Sequence, residues 1–71
     1  MRMDNWMKLH YGDREADLAK ALAKAHGKNA FVQIGRKGGI SVYKPIRGSG
    51  GAGRVAFYSC LSDLIAKAAG Q

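Results

Sequence analysis

Apolar residues return every third or fourth position between Arg14 and His26. Leu18, Ala21, Leu22 and Ala25 fall on one stripe, while Asp17, Lys20, Lys24 and Lys28 follow one another on a polar side. That spacing predicts an amphipathic helix over about Arg14 to His26. Asp13 stands where it can accept the free N–H groups of the first turn, and the early acids Glu15 and Asp17 suit the positive end of the helix dipole. Gly27 can take the left-handed conformation that ends the helix. Upstream, Trp6 to Tyr11 is ambiguous: Met7, Leu9 and Tyr11 alternate as in a strand, yet the segment equally well extends the helix.

Further along, the period changes to two. Ala30 to Arg36 reads as a strand, Arg36-Lys37-Gly38-Gly39 as a tight turn, and Ile40 to Ile46 as the antiparallel partner, since Gly-Gly supplies the positive φ that a short hairpin needs. Pro45 cannot donate to a ladder and belongs at a strand end or edge. Gly48 to Gly53 reads as a flexible glycine loop into a third strand, Arg54 to Ser59. Ser59 or Ser62 is placed to cap a last helix, with Leu61, Leu64, Ile65 and Ala68 on one face and Gly70 as its stop. The expected fold is α+β, a small single domain over residues 1–71 in the order α-β-β-β-α. It has a three-stranded antiparallel sheet with two helices packed on one face; the pattern leaves residues 1–12 open. By alternation, Val32, Ile34, Ile40, Val42, Val55 and Phe57 face the helices, and Phe31, Gln33, Ser41, Tyr43, Arg54, Ala56 and Tyr58 face away.

A chain of 71 residues buries only about 60 % of its unfolded surface, so its core is thin. The single cysteine, Cys60, excludes an internal disulfide, and no Cys/His cluster stands ready for zinc, which suits a reducing compartment. The N-terminal Met1 to Lys8 lacks the apolar run of a signal peptide, and no segment approaches the roughly 20 apolar residues of a membrane span. A cytoplasmic protein without membrane contact is expected.

Charge sharpens this picture. The net charge is +7, and between Asp17 and Asp63 lie Lys20, Lys24, Lys28, Arg36, Lys37, Lys44, Arg47 and Arg54 with no acid among them. A middle segment of one sign attracts phosphate backbones, anionic membranes or acidic proteins.

Candidate chemistry changes the picture mostly by exclusion. Gly48-x-Gly50-x-x-Gly53 has the spacing of a dinucleotide-binding fingerprint, but Arg54 to Tyr58 after it is a β-type run, not a helix, and no acidic ribose partner follows at the required distance. No Gly-Lys-Ser/Thr completes a phosphate loop either. Asp13, Glu15 and Asp17 crowd the start of one helix, where capping explains them, rather than facing each other across a cleft. His10 and His26 have no relay or metal partner at a suitable spacing. Cys60 sits where a strand meets a helix N-terminus, a position that can lower a thiol pKa, but a buried, inert cysteine is the preferred reading. No enzyme, cofactor or metal is expected.

The order α-β-β-β-α at this length resembles the topology of the double-stranded RNA-binding domain. Ser59-Cys60-Leu61-Ser62-Asp63 stands where that family places a lysine-rich, phosphate-binding start of its last helix. The portion from Phe31 to Ala69 is also similar to plant-type and phage-integrase-type DNA readers, in which a three-stranded sheet enters the major groove. Neither resemblance carries a specific residue motif that would assign the chain to a family.

Two functions fit. The first is a non-enzymatic nucleic-acid-binding module. In it Arg36, Lys37, Lys44, Arg47 and Arg54, with Lys20 and Lys24 on the helix, hold phosphates, while Phe31, Tyr43 and Tyr58 stack on bases. The glycine loop then lets the backbone approach a phosphate between two arginines. The second is a small phage- or plasmid-type interaction or inhibitor protein whose basic surface docks on an acidic patch of a nucleic-acid-handling complex, for example as an anti-defence inhibitor. The outward sheet face has two further possible covers: Trp6, Met7 and Leu9 folded across it, or a symmetric partner in a homodimer.

Overall fold

The computed structural model describes residues 5–70. The ambiguous first segment is a helix, α1 (Asn5–Tyr11), with Met7 buried and Lys8 and His10 outside. One 3₁₀ turn, Gly12–Arg14, separates it from α2 (Glu15–His26). The chain therefore reaches α2 already helical, and Asp13 is an exposed member of that turn instead of the expected cap. Arg14 holds the N-cap position without a side-chain cap bond, and its Nε lies 3.3 Å from Asp17 Oδ2. Gly27 ends α2 with φ 94° and ψ 168°, donating its N–H to Ala23 O. The positive φ matches expectation, but the extended ψ is a glycine-only conformation distinct from the left-handed cap.

Three strands follow: β1 (Phe31–Ile34), β2 (Ile40–Pro45) and β3 (Ala52–Tyr58), forming an antiparallel sheet in the order β1-β2-β3. The β1–β2 turn closes through Gly35 N–H to Gly39 O at 2.8 Å and Gly38 N–H to Gly35 O at 3.0 Å, with Gly38 at φ 90°. This is the tight glycine turn the sequence predicts, its left-handed position filled by the residue type that tolerates it best. β3 starts earlier than expected, so Gly53 lies within the strand opposite Lys44, and the glycine connection shrinks to residues 46–51. That connection is tied internally: Ile46 N–H donates to Gly51 O, Ser49 Oγ donates to Ile46 O, and Gly51 N–H donates to Ser49 Oγ.

The last helix, α3 (Leu61–Ala68), has Cys60 at its N-cap with no side-chain cap bond. Neither serine fills that place; Ser59 Oγ instead donates to Asp63 Oδ2 at 3.0 Å.

All helices contribute to one core against the inner face of the sheet: Met7 from α1, Leu18, Ala21 and Leu22 from α2, Leu61 and Leu64 from α3, with Ile34, Ile40 and Val42 beneath them. Ile65, expected in this core, is 36 % exposed and sits at its rim. Among the described residues no buried side-chain N or O atom lacks a hydrogen-bond partner. No helix among them is long and apolar enough to cross a membrane.

The sheet alternation holds through β1 and β2 but inverts within β3. Ile40 pairs with Tyr58 and Val42 with Ala56, then Tyr43 pairs with Arg54, leaving Val55 as an extra residue in a bulge. A bulge of one residue exchanges the two faces of everything beyond it. Arg54 therefore lies outside as expected. Ala56 and Tyr58 turn inwards, whereas Phe57 faces out at 56 % exposure and Val55 is 53 % exposed.

Candidate nucleic-acid interface

The outer sheet face is built from register partners. Phe31 stands opposite Tyr43, Gln33 opposite Ser41, Tyr43 opposite Arg54, and Ser41 opposite Phe57. Paired residues share a face, so Phe31, Gln33, Ser41, Tyr43, Arg54 and Phe57 form one continuous surface. The Phe31 and Tyr43 rings stack with centroids 5.8 Å apart and planes inclined by 17°. Cross-strand aromatic pairs of this kind stabilise the sheet while leaving ring faces open to a ligand. The Arg54 guanidinium carbon lies 5.8 Å from the Phe57 ring centroid, within cation–π range. Beside the stacked pair is a shallow depression of about 400 Å³, lined by Phe31, Val32, Gln33, Tyr43 and Ala52. The N-terminal helix does not cover this surface: Met7 is in the inner core, and Trp6 and Leu9 are exposed.

Phe57 owes its position to a glycine. A Cβ added at Gly39 would come 2.8 Å from the ring's Cζ, so the ring rests on bare backbone there. This residue was missed by alternation, which assigned it to the core. Only a bulge signal could have placed it, and none is readable from the residue types around Val55.

Basic residues flank this face at two ends. Arg36 and Lys37 are exposed at the tip of the β1–β2 turn. α1 holds that turn from behind: His10 Nε2 donates to Arg36 O at 2.9 Å, and the Tyr11 hydroxyl donates to Gly38 O. Gly38 N–H already engages Gly35 O. The turn's carbonyls at residues 35, 36 and 38 are thus all covered by donors, and its outward side is left electropositive. Arg47 is exposed in the connection before β3, between Ile46 and the positive-φ Gly48.

The remaining candidates lie elsewhere. Tyr58 is on the helix side, its hydroxyl 2.6 Å from His26 Nε2. Burial pushes the Tyr58 phenol up, while burial, and then the charges of Lys44 and Lys67, hold His26 below its ordinary value. Burial likewise raises the Tyr11 phenol. Lys44 also turns inwards, its Nζ 3.9 Å from where a Gly27 Cβ would sit, beside the negative C-terminal end of α2. Lys20 and Lys24 line a groove of about 310 Å³ between α2 and α3, with Arg14, Asp17, Ala21, Ile65, Ala68 and Ala69. The predicted ligand surface therefore divides: Phe31, Tyr43 and Arg54 are together, Arg36, Lys37 and Arg47 lie beyond the strand ends, and Tyr58, Lys44, Lys20 and Lys24 belong to the helix side.

No group of three or more His, Cys, Asp or Glu among the described residues could hold a metal ion. Cys60 is exposed, not buried as expected. Comparison with models of protein families finds no match, and neither the curated proteins nor the solved structures yield one.

Proposed function

We propose that this protein is a non-enzymatic nucleic-acid-binding module whose ligand lies on the outer sheet face. One observation carries the reading: a stacked aromatic pair, an exposed phenylalanine and an arginine share an uncovered surface on a chain of net charge +7. Rings supply stacking area and arginine supplies phosphate or base-plane contact. Arg36, Lys37 and Arg47 extend the positive field past the strand ends, where a backbone leaving the sheet would pass.

Binding of labelled nucleic acid, single- and double-stranded, measured by fluorescence anisotropy at two salt concentrations tests this. The expected result is binding at about 50 mM salt that weakens linearly in log affinity against log salt. Absence of binding to every form at that salt refutes the reading.

A second reading has its own support. Lys20 and Lys24 rim an apolar-floored groove with Ile65 on the helix side, away from the sheet surface. Such a groove suits an interaction protein docking on an acidic patch of a nucleic-acid-handling complex. Charge reversal at Lys20 and Lys24 that leaves nucleic-acid affinity intact but abolishes a defined protein complex would favour it.

A further inference from the structure

We infer that the outer sheet face takes single-stranded nucleic acid, held through unpaired bases; this rests on the nucleic-acid reading above and names its ligand class. Phe31, Tyr43 and Arg54 are consecutive partners across the three strands, so two rings and a guanidinium stand in one row. Neighbouring strands are about 4.8 Å apart, which keeps the row within reach of adjacent nucleotides.

The ring spacing decides how a base can meet it. Inserting a base between two rings needs about 7 Å, twice the roughly 3.4 Å stacking step. Phe31 and Tyr43 are 5.8 Å apart and nearly parallel, so the pair stays closed and bases stack on its outer surfaces. The depression beside it has room for a planar ring. Ala52 contributes only a methyl to its lining, and the Gln33 amide is at hand for a base edge. The Tyr43 hydroxyl contacts Gln33 Oε1 at 3.5 Å, directing that oxygen towards the tyrosine and freeing the amide N–H groups. Arg54 above Phe57 offers a second planar station, since bases stack on guanidinium planes as well as on rings.

A duplex cannot use these features. Its base faces are covered by neighbouring pairs, and reading its groove edges calls for long polar side chains. The outer face is mostly rings with Ser41 and Ala52, and its two long polar side chains are already engaged, Gln33 at Oε1 by the Tyr43 hydroxyl and Arg54 over the Phe57 ring.

The test uses the full chain and three probes of equal length, about 12 nucleotides: labelled oligothymidylate, an abasic strand with the same backbone, and a duplex. Oligothymidylate is expected to bind roughly five- to a hundred-fold more tightly than the abasic strand, the range that one stacked base provides. Tyr43→Ala should remove much of that ratio while leaving abasic binding unchanged, and Tyr43→Phe should retain it. Equal binding of oligothymidylate and abasic strand, or a duplex bound at least as tightly as oligothymidylate, overturns the inference while the nucleic-acid reading stands. No binding to any probe at about 50 mM salt overturns both.

Discussion

Replacing Val42 and Phe57 separately with alanine tests the inversion within β3. Size alone predicts that the phenylalanine matters more, since Phe→Ala in a core costs about 3 to 5 kcal/mol. The structure predicts the reverse. Val42 is 0 % exposed in the central strand, between Val32 on one side and Ala56 on the other. Removing its two methyl groups forfeits about 1.6 kcal/mol of transfer energy. The cavity left under α2 and α3 raises this to about 2 to 3 kcal/mol. Phe57 is 56 % exposed, so less than half of it is shielded. A fully buried phenylalanine contributes up to about 3 kcal/mol, and this one therefore contributes about 1. For a domain of this size each kcal/mol moves Tm by about 4 to 8 °C. Circular dichroism melts should thus show Val42→Ala lower by about 8 to 24 °C and Phe57→Ala by about 4 to 8 °C. A Phe57→Ala loss equal to or larger than that of Val42→Ala would mean the ring is core and the bulge is wrongly placed.

Stability should also depend on His26. Its folded pKa lies below the ordinary value, so beneath about pH 6.5 the unfolded chain takes up a proton that the folded chain resists. Urea midpoints should be highest above that pH, decline as pH falls through the window down to the folded pKa, and lose this component of the slope in His26→Gln. Tyr58→Phe should cost about 0.5 to 1.5 kcal/mol by removing the hydroxyl that bonds His26, against no change if that bond is absent in solution. Replacing Arg47 and Arg54 together with alanine should leave Tm nearly constant yet shrink the salt slope of nucleic-acid binding by about 0.7 to 0.9 for each phosphate no longer neutralised; an unchanged slope would exclude both from phosphate binding. In hydrogen exchange, the amides of Ile46, Ser49 and Gly51, which donate within the connection, should exchange more slowly than those of Arg47, Gly48 and Gly50. Uniformly fast exchange would show that the connection is an open loop.

Element order, the α2 stripe and the faces of β1 and β2 follow from periodicity because each is set by local spacing. Leu18 and Leu22, or Ile34, Ile40 and Val42, leave one arrangement that buries them together. The segment Trp6 to Tyr11 escaped because short apolar runs fit both periods, and burial of Met7 settles the matter only once α2 and β1 are in place. Residues beyond Arg54 escaped for a different reason. Val55 and Phe57 carry more apolar surface than Ala56 and Tyr58, so alternation sends them inwards. Yet a bulge is a property of two strands in register and leaves little trace in one of them. Of the candidate ligand residues, Phe31, Tyr43 and Arg54 precede the bulge and lie on the expected face; Tyr58 follows it and does not. Lys44 has the parity of Ile40 and Val42, so alternation in β2 already turns it inwards, but that the end of α2 lies beside it is not contained in β2 alone.

The contact between the Phe57 ring and the bare backbone of Gly39 ties two positions eighteen residues apart. Any side chain at 39 must evict the ring, while a small residue at 57 would leave glycine without its reason to be there. The pair should therefore drift together under selection. In diverged copies of this chain, gain of a side chain at 39 should accompany loss of the aromatic at 57, and the two changes made singly should cost more than their combination implies. The outer surface would then change its character in one coupled step, with the core beneath it undisturbed.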